Sequence, residues 1–229
     1  MDAKSPSAGP AGTVLYESRA EAGRLLALEL EQEEFGDAVV LGLAHAGVEV
    51  AVQVARIRRA PLDVICVCKI LHPIDRSLVL GAVTADGGVC LRERGGLTDR
   101  ELTMAAGEAR AEALRVDHRL HGARTPLAIA GRTVVVVDDG LETGASMTAV
   151  LHSVRARGAR RVLAAIPVAS VDGLAALTGE ADRVVCISAV PELGPVSSRY
   201  RMYPQVSEEE ILVSLRKWGL AQSASPGGG

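Results

Sequence analysis

The segment at residues 134–146 constrains the fold more than any other part of the chain. It reads VVVVDDGLETGAS: four valines, two adjacent carboxylates, and then a short turn of mostly small residues. A run that is apolar on both faces is typical of a strand buried in a parallel sheet. Apolar residues then recur at helical spacing as far as Gly158. The segment therefore predicts a central strand, a polar turn and a helix.

The turn between this strand and this helix has the composition of a phosphate-binding site. Residues 143–146 (Thr-Gly-Ala-Ser) offer backbone N–H groups and two hydroxyls at a helix N-terminus, where anions bind well. Asp138 and Asp139 would repel the same anion, but they can accept hydrogen bonds from sugar hydroxyls or help to hold a divalent cation. A phosphate, a diol and a metal ion together describe a ribose 5-phosphate ligand.

Two other nucleotide-binding motifs are excluded by the residues present. A P-loop needs a lysine before the serine of the turn, and Ala145 occupies that position. A dinucleotide-binding fingerprint needs G-x-G-x-x-G after the first strand, but residues 42–47 read GLAHAG.

Composition narrows the class of protein further. A net charge of −3 and a pI of about 6.0 argue against bulk electrostatic binding to nucleic acid. No segment approaches the roughly 20 apolar residues of a membrane span, and the N-terminus does not resemble a secretory signal. The cysteines show no zinc spacing, so we expect reduced thiols and a cytoplasmic protein. His118 and His121 have no evident third metal ligand, and we interpret them as solvent-facing.

The order of predicted elements indicates an α/β fold with a central parallel sheet flanked by helices, in one domain. The domain is predicted over residues 14–218, with disordered ends at 1–13 and 219–229. Residues 62–69 are predicted as the second strand, and Leu78–Thr84 with Val89–Leu91 as a hairpin. Three helix starts are predicted from capping boxes, namely Ser18 with Glu21, Thr98 with Glu101, and Ser207 with Glu210.

The acidic strand end and the turn after it resemble the phosphoribosyl diphosphate signature of the type I phosphoribosyltransferases. Within that family the chain is most similar to a bacterial, largely uncharacterised subgroup. The pattern of that subgroup includes a first strand ending L-P-R-G-G-V, a second ending V-R-K, and Y-x-x-F near a final helix. The counterparts here are residues 43–48 (LAHAGV), 67–69 (VCK) and 200–203 (YRMY). The resemblance implies a small hood beside the parallel sheet.

The resemblance also implies the site residues. The loop after the first strand would hold the diphosphate, although His45 stands where the family has an arginine, and a histidine is mostly neutral at pH 7. Catalysis is assigned to Asp138, Asp139 and Glu142, with Mg²⁺ held near the two aspartates through the substrate. Substrate binding is assigned to Ala44, His45, Ala46, Gly47, Lys69, Gly140, Thr143, Gly144, Ala145, Ser146, Val196 and Tyr200.

Several of these assignments have plain structural alternatives. Glu142 is a candidate general acid/base toward the acceptor, or else a solvated turn carboxylate. Lys69 would face the diphosphate, or else be a solvated lysine at a strand end. Tyr200 would stack on a nucleobase, or else pack in the interior, and Val196 would contact the base through its backbone. The loop at residues 72–77, with the hairpin after it, would close over the site as a lid.

The resemblance implies transfer of a phosphoribosyl group from phosphoribosyl diphosphate to a nitrogenous acceptor, with release of diphosphate. The sequence identifies neither the acceptor nor the oligomeric state, and a homodimer is one possibility because dimers are common among such enzymes. Two alternatives stay open. One is a regulatory protein that binds phosphoribosyl diphosphate without turnover, and the other is a hydrolase or phosphatase that uses the acidic pair with a metal ion.

Overall fold

The structure is a computed structural model that describes residues 13–122 and 124–223. The strands are β1 (Val39–Leu43), β2 (Leu62–Ile65), β3 (Val67–Leu71), β4 (Val79–Thr84), β5 (Val89–Leu91), β6 (Thr133–Val137), β7 (Arg161–Ser170) and β8 (Arg183–Val190). The helices are α1 (Arg19–Glu29), α2 (Ala46–Arg58), α3 (Asp99–His121), α4 (Ala145–Ala156), α5 (Val171–Ala175) and α6 (Glu208–Ser223).

The core of the fold is a five-stranded sheet in the order β2-β1-β6-β7-β8, and every neighbouring pair in it is parallel. The valine run forms β6, which lies in the middle, and its valines have no solvent exposure. Alternate side chains of a strand point to opposite faces. Val135 and Val137 accordingly pack with α1 and α2, and Val134 and Val136 with α4. The predicted α/β architecture is confirmed.

The prediction of one strand over residues 62–69 is wrong. The chain leaves the parallel sheet at Cys66, whose carbonyl accepts a hydrogen bond from the Ala85 amide at 3.0 Å. β2 pairs with β1, whereas β3 joins β4 and β5 in a second, antiparallel sheet. Lys69 therefore lies on this small sheet and not at the end of a central strand. Residues 64–68 are apolar without a break (VICVC), so the sequence gave no sign of the change of sheet.

The predicted hairpin is confirmed as β4 and β5, which pair in antiparallel register. Its turn packs tightly against α4, because a Cβ atom at Gly88 would lie 2.4 Å from the Ala149 carbonyl oxygen. The hairpin is therefore docked on a helix, and it does not line the pocket described below. This placement contradicts the prediction that the hairpin forms part of a lid. The role of the loop at 72–77 as a lid stays a prediction.

Helix starts agree with their predicted caps. The hydroxyls of Ser18, Thr98 and Ser207 accept hydrogen bonds from the amides of Glu21, Glu101 and Glu210, respectively. The final helix continues to Ser223, past position 219, where the disordered tail was predicted to begin. The remaining predicted disorder, at 1–12 and 224–229, lies outside the described residues.

A buried polar cluster connects the end of α3 to β2. The Asp63 carboxylate, 1% exposed, accepts hydrogen bonds from Arg124 at 2.6 Å and from the Leu127 amide at 2.8 Å. The His121 side chain is 7% exposed and lies between Asp63 and Asp117, at 3.3 and 3.0 Å. The interpretation of His121 as solvent-facing is therefore wrong. The sequence around His121 shows only a helix end, and it could not reveal the contact with Asp63, which lies 58 residues earlier in β2.

Candidate functional site

A pocket of about 390 Å³ opens at the carboxyl end of β6, the edge at which open α/β sheets bind ligands. It is lined by Lys69, Asp138, Asp139, Gly140, Leu141, Glu142, Thr143, Gly144, Ala145, Ser146, Met147, Pro195, Val196, Ser197 and Tyr203. The structure thus brings together ten of the predicted site residues. The predicted residues at 44–47 and Tyr200 do not line this pocket.

The turn that forms the pocket floor is fixed to the neighbouring strand. The Leu141 amide donates to the Val168 carbonyl, and the Ser170 amide donates to the Leu141 carbonyl, each at 2.9 Å. The Ser170 hydroxyl donates to the carbonyl of Glu142. The side chain of Glu142 is exposed at the pocket. Its backbone is anchored at β7, so Glu142 remains at the edge of the pocket.

Gly144 gives the turn its shape. It caps α4 in the left-handed region, with φ +81° and ψ −9°. A Cβ atom there would lie 3.0 Å from both the Ala176 Cβ atom and the Gly173 carbonyl oxygen. Helix α4 begins at the next residue, so its first backbone N–H groups open into the pocket. A phosphate group would meet these N–H groups and the positive end of the helix dipole.

The two carboxylates at the strand end are coupled. The Asp139 amide donates to Asp138 Oδ1 at 2.9 Å. Burial raises the pKa of Asp138 well above its ordinary value, and the charge of Asp139 adds to this effect, whereas Lys69 opposes it. Burial also raises the pKa of Asp139, and its hydrogen bond with Tyr203 opposes the rise. Hydrogen-bond donors on a ligand would favour the ionised form of the pair.

Tyr203 lines the pocket, and the predicted Tyr200 does not. Tyr200 is 4% exposed, and its hydroxyl donates to the backbone carbonyl of Asp139 at 2.5 Å. The prediction that Tyr200 stacks on a nucleobase is therefore wrong, because its ring is packed between Tyr16 and Tyr203. Tyr203 was not predicted as a site residue. It lines the pocket, and its hydroxyl donates to Asp139 Oδ2 at 2.5 Å.

The loop after β1 lies directly behind the acidic pair. A Cβ atom at Gly47 would lie 2.9 Å from Asp138 Oδ1 and 3.0 Å from the Val137 carbonyl oxygen, so the backbone needs a glycine here. His45 is exposed and has φ 75° and ψ −115°, a combination that non-glycine residues rarely adopt. The backbone of this loop is therefore strained at His45, next to the pocket. The contacts of Ala44, His45 and Ala46 with the diphosphate stay a prediction.

The side chain of Val196 lines the pocket. A Cβ atom at Gly140 would lie 2.5 Å from Val196 Cγ1, so the valine fits over a position that lacks a side chain. The predicted backbone contact of Val196 with a base stays a prediction. Lys69 lines the pocket from the second sheet with an exposed side chain. Its charge is close enough to Asp138 to oppose the rise in the pKa of that carboxyl.

Comparisons with known proteins identify a matching family. A family model described as the phosphoribosyl transferase domain matches residues 96–193. Two Mycobacterium tuberculosis proteins, named "Putative phosphoribosyl transferase" MT0597 and Rv0571c, are each 37% identical over 205 residues, or 88% of this chain. The chain spans about half the length of these curated relatives, 46% in each case.

Solved structures extend the comparison to the fold. TT1426 from Thermus thermophilus is 35% identical, with a TM-score of 0.75, over 90% of this chain and 99% of that one. AQ2163 from Aquifex aeolicus shares the fold at 13% identity, with a TM-score of 0.51, over 80% of this chain and 86% of that one. Within residues 13–122 and 124–223, no helix has the length and apolar character needed to span a membrane.

Proposed function

The chain belongs to the phosphoribosyltransferase family, and from this premise we propose that it transfers a phosphoribosyl group from phosphoribosyl diphosphate to a nitrogenous acceptor. The observation that carries the proposal is the pocket itself. It combines a helix N-terminus for the 5-phosphate with two adjacent carboxylates for the ribose hydroxyls. The acceptor would be a small molecule, and its identity would be set by the hood, which is predicted at residues 188–203.

The mechanism follows from the charges that develop during transfer. When the bond between ribose C1 and the diphosphate oxygen breaks, C1 becomes positive and the leaving group becomes more negative. The backbone at 143–146 would hold the 5-phosphate and so fix the position of C1. Asp138 and Asp139 would bind the ribose hydroxyls and stabilise the positive sugar. Lys69 would face the departing diphosphate, and Glu142 would accept the proton of the acceptor nitrogen.

The residues present fit a divalent cation, because two carboxylates stand next to the expected position of the ribose and diphosphate oxygens. Asp138 and Asp139 would hold Mg²⁺ indirectly, through the substrate. When bound, the ion would offset the negative charge of the leaving diphosphate.

Calorimetry with phosphoribosyl diphosphate and Mg²⁺ tests the proposal. We expect the wild type to bind, and the double variant Asp138→Asn with Asp139→Asn to lose about 100-fold or more in affinity, because hydrogen bonds to charged groups are lost. The matched control is Glu31→Gln with Glu34→Gln, which removes the same two charges from exposed positions away from the pocket. Equal affinity in the wild type and the aspartate variant would refute the site.

A second candidate is a regulatory protein that binds phosphoribosyl diphosphate without turnover. The observation that favours it is His45, which replaces the family's arginine and does not line the pocket. An assay of diphosphate release across a panel of purine and pyrimidine bases separates the two. Diphosphate release that requires a base would support the transferase, because the base then takes the place of diphosphate on ribose C1. Binding of phosphoribosyl diphosphate without diphosphate release, whichever base is added, would favour the regulator. Phosphate release from simple esters would instead favour a hydrolase.

A further inference from the structure

Tyr203 is held from several sides while its ring lines the pocket. Its hydroxyl donates to Asp139 Oδ2 at 2.5 Å. The Arg19 guanidinium carbon lies 4.3 Å from the centre of the Tyr203 ring, within the range of a cation–π interaction. The Tyr200 ring centre is 5.4 Å away, with the two planes inclined at 44°. These contacts restrain the Tyr203 ring and so fix the position of its hydroxyl beside Asp139.

Arg19 itself is a fixed support. It is 2% exposed, and its guanidinium donates to the Glu49 carboxylate and to the carbonyl of Pro204. Pro204 follows Tyr203 directly, so a single guanidinium holds both the tyrosine ring and the main chain after it. Glu49 lies in the first turn of α2, next to the predicted diphosphate loop. A buried cation with these partners keeps the hood attached to the body of the domain.

The tyrosines of this region fix Asp139 at two points. The chain contains three tyrosines, and the rings of Tyr16, Tyr200 and Tyr203 stack in sequence with centres 5.4 Å apart. Tyr200 donates to the main-chain carbonyl of Asp139, and Tyr203 donates to its carboxylate. An aspartate carboxylate otherwise rotates broadly about its last torsion, so the Tyr203 hydroxyl restricts its orientation.

We propose that Tyr203 is a positioning residue, whose hydroxyl orients the Asp139 carboxylate toward the hydroxyls of the bound ribose. This inference rests on the proposed function of the pocket. One carboxylate oxygen is occupied by the tyrosine, which sets the direction in which Asp139 can accept from the sugar. An acceptor that is already oriented loses less freedom when the diol binds.

The test compares ribose 5-phosphate with 2-deoxyribose 5-phosphate by calorimetry. These sugars differ by the 2-hydroxyl alone, so their affinity ratio reports the diol contact and not the phosphate contact. We expect the wild type to prefer ribose 5-phosphate by about tenfold, the value of one hydrogen bond to a charged group. Tyr203→Phe, which retains the ring and its packing on Arg19, should bring the ratio close to one.

Tyr16→Phe is the matched control. It removes the same atom from the same cluster, but its hydroxyl donates to the Pro167 carbonyl at 2.7 Å and not to Asp139. We expect Tyr16→Phe to keep the wild-type ratio. If Tyr203→Phe keeps the ratio, or weakens both sugars equally, Tyr203 does not position Asp139, and the proposed function stands. If the wild type binds neither phosphoribosyl diphosphate nor ribose 5-phosphate, the proposed function fails first and this inference fails with it.

Discussion

Replacing Gly144 by alanine tests whether the turn that is proposed to bind phosphate needs a residue without a side chain at this position. The residue has a positive φ of +81°, and its new Cβ atom would lie 3.0 Å from the Ala176 Cβ atom and from the Gly173 carbonyl oxygen. A left-handed conformation costs a non-glycine residue about 1–2 kcal/mol. Forcing an extra carbon into a packed site costs about 1–3 kcal/mol more. Gly144→Ala should lower the free energy of unfolding by the sum of these two costs.

Gly179→Ala separates these two costs. Gly179 has nearly the same φ, +82°, but its Cβ atom would meet nothing within 4 Å. The control therefore carries the backbone cost without the crowding. We expect Gly144→Ala to lower the free energy of unfolding by about 2 kcal/mol more than Gly179→Ala, which is about 4–8 °C in melting temperature for a chain of this size.

The assay is thermal unfolding followed by circular dichroism, together with calorimetry of phosphoribosyl diphosphate binding. Gly144→Ala should also bind the ligand more weakly, because relief of the crowding moves the N–H groups at the start of α4. Gly179→Ala should bind as the wild type does. Equal melting temperatures and equal affinities in the two variants would show that Gly144 is not needed for close approach, and would refute the reasoning.

Three further predictions concern the surroundings of the pocket. Gly47→Ala should displace Asp138, whose Oδ1 atom would lie 2.9 Å from the new carbon, and should weaken ligand binding about tenfold by calorimetry. His45→Arg should strengthen binding of phosphoribosyl diphosphate, most clearly at pH 8, because arginine stays charged there; unchanged affinity would exclude contact between this side chain and the diphosphate. Burial tends to raise the pKa of Asp63. The adjacent His121 side chain, together with hydrogen bonds from the Leu127 amide and Arg124, prevails and lowers this pKa from 3.8 to about 2. The ionised Asp63 therefore stabilises the fold above pH 3.8, and this stabilisation is lost as the pH falls toward 2. In urea titrations, Asp63→Asn should lower the free energy of unfolding far more at pH 6 than at pH 2. An equal loss of free energy at both pH values would contradict this linkage.

Local patterns predicted those parts of the site whose geometry is set within a short segment. The valines of β6, the two aspartates and the glycine at the start of α4 all lie within residues 134–144. Strand, turn and helix therefore follow from neighbouring residues. The same holds for the three capped helix starts, since a cap involves residues three apart.

Such local patterns could not predict contacts between residues that are far apart in the chain. The Tyr203–Asp139 hydrogen bond joins residues 64 positions apart, and the contact between Arg19 and Pro204 joins residues 185 apart. The spacing of Tyr200 and Tyr203 marked this segment, but it could not show which ring faces the pocket. That choice depends on Tyr16 and Arg19, which lie at the other end of the chain. The break at Cys66 was missed for a related reason, because its partner Ala85 follows a later strand, β4.

A crystal structure of the protein with phosphoribosyl diphosphate and Mg²⁺ tests the central claim most directly. We expect the 5-phosphate within hydrogen-bond distance of the backbone amides at 143–146, and the ribose hydroxyls on the carboxylates of Asp138 and Asp139, with Tyr203 still bonded to Asp139. A ligand bound elsewhere, or a sugar ring turned away from both aspartates, would contradict the proposed site.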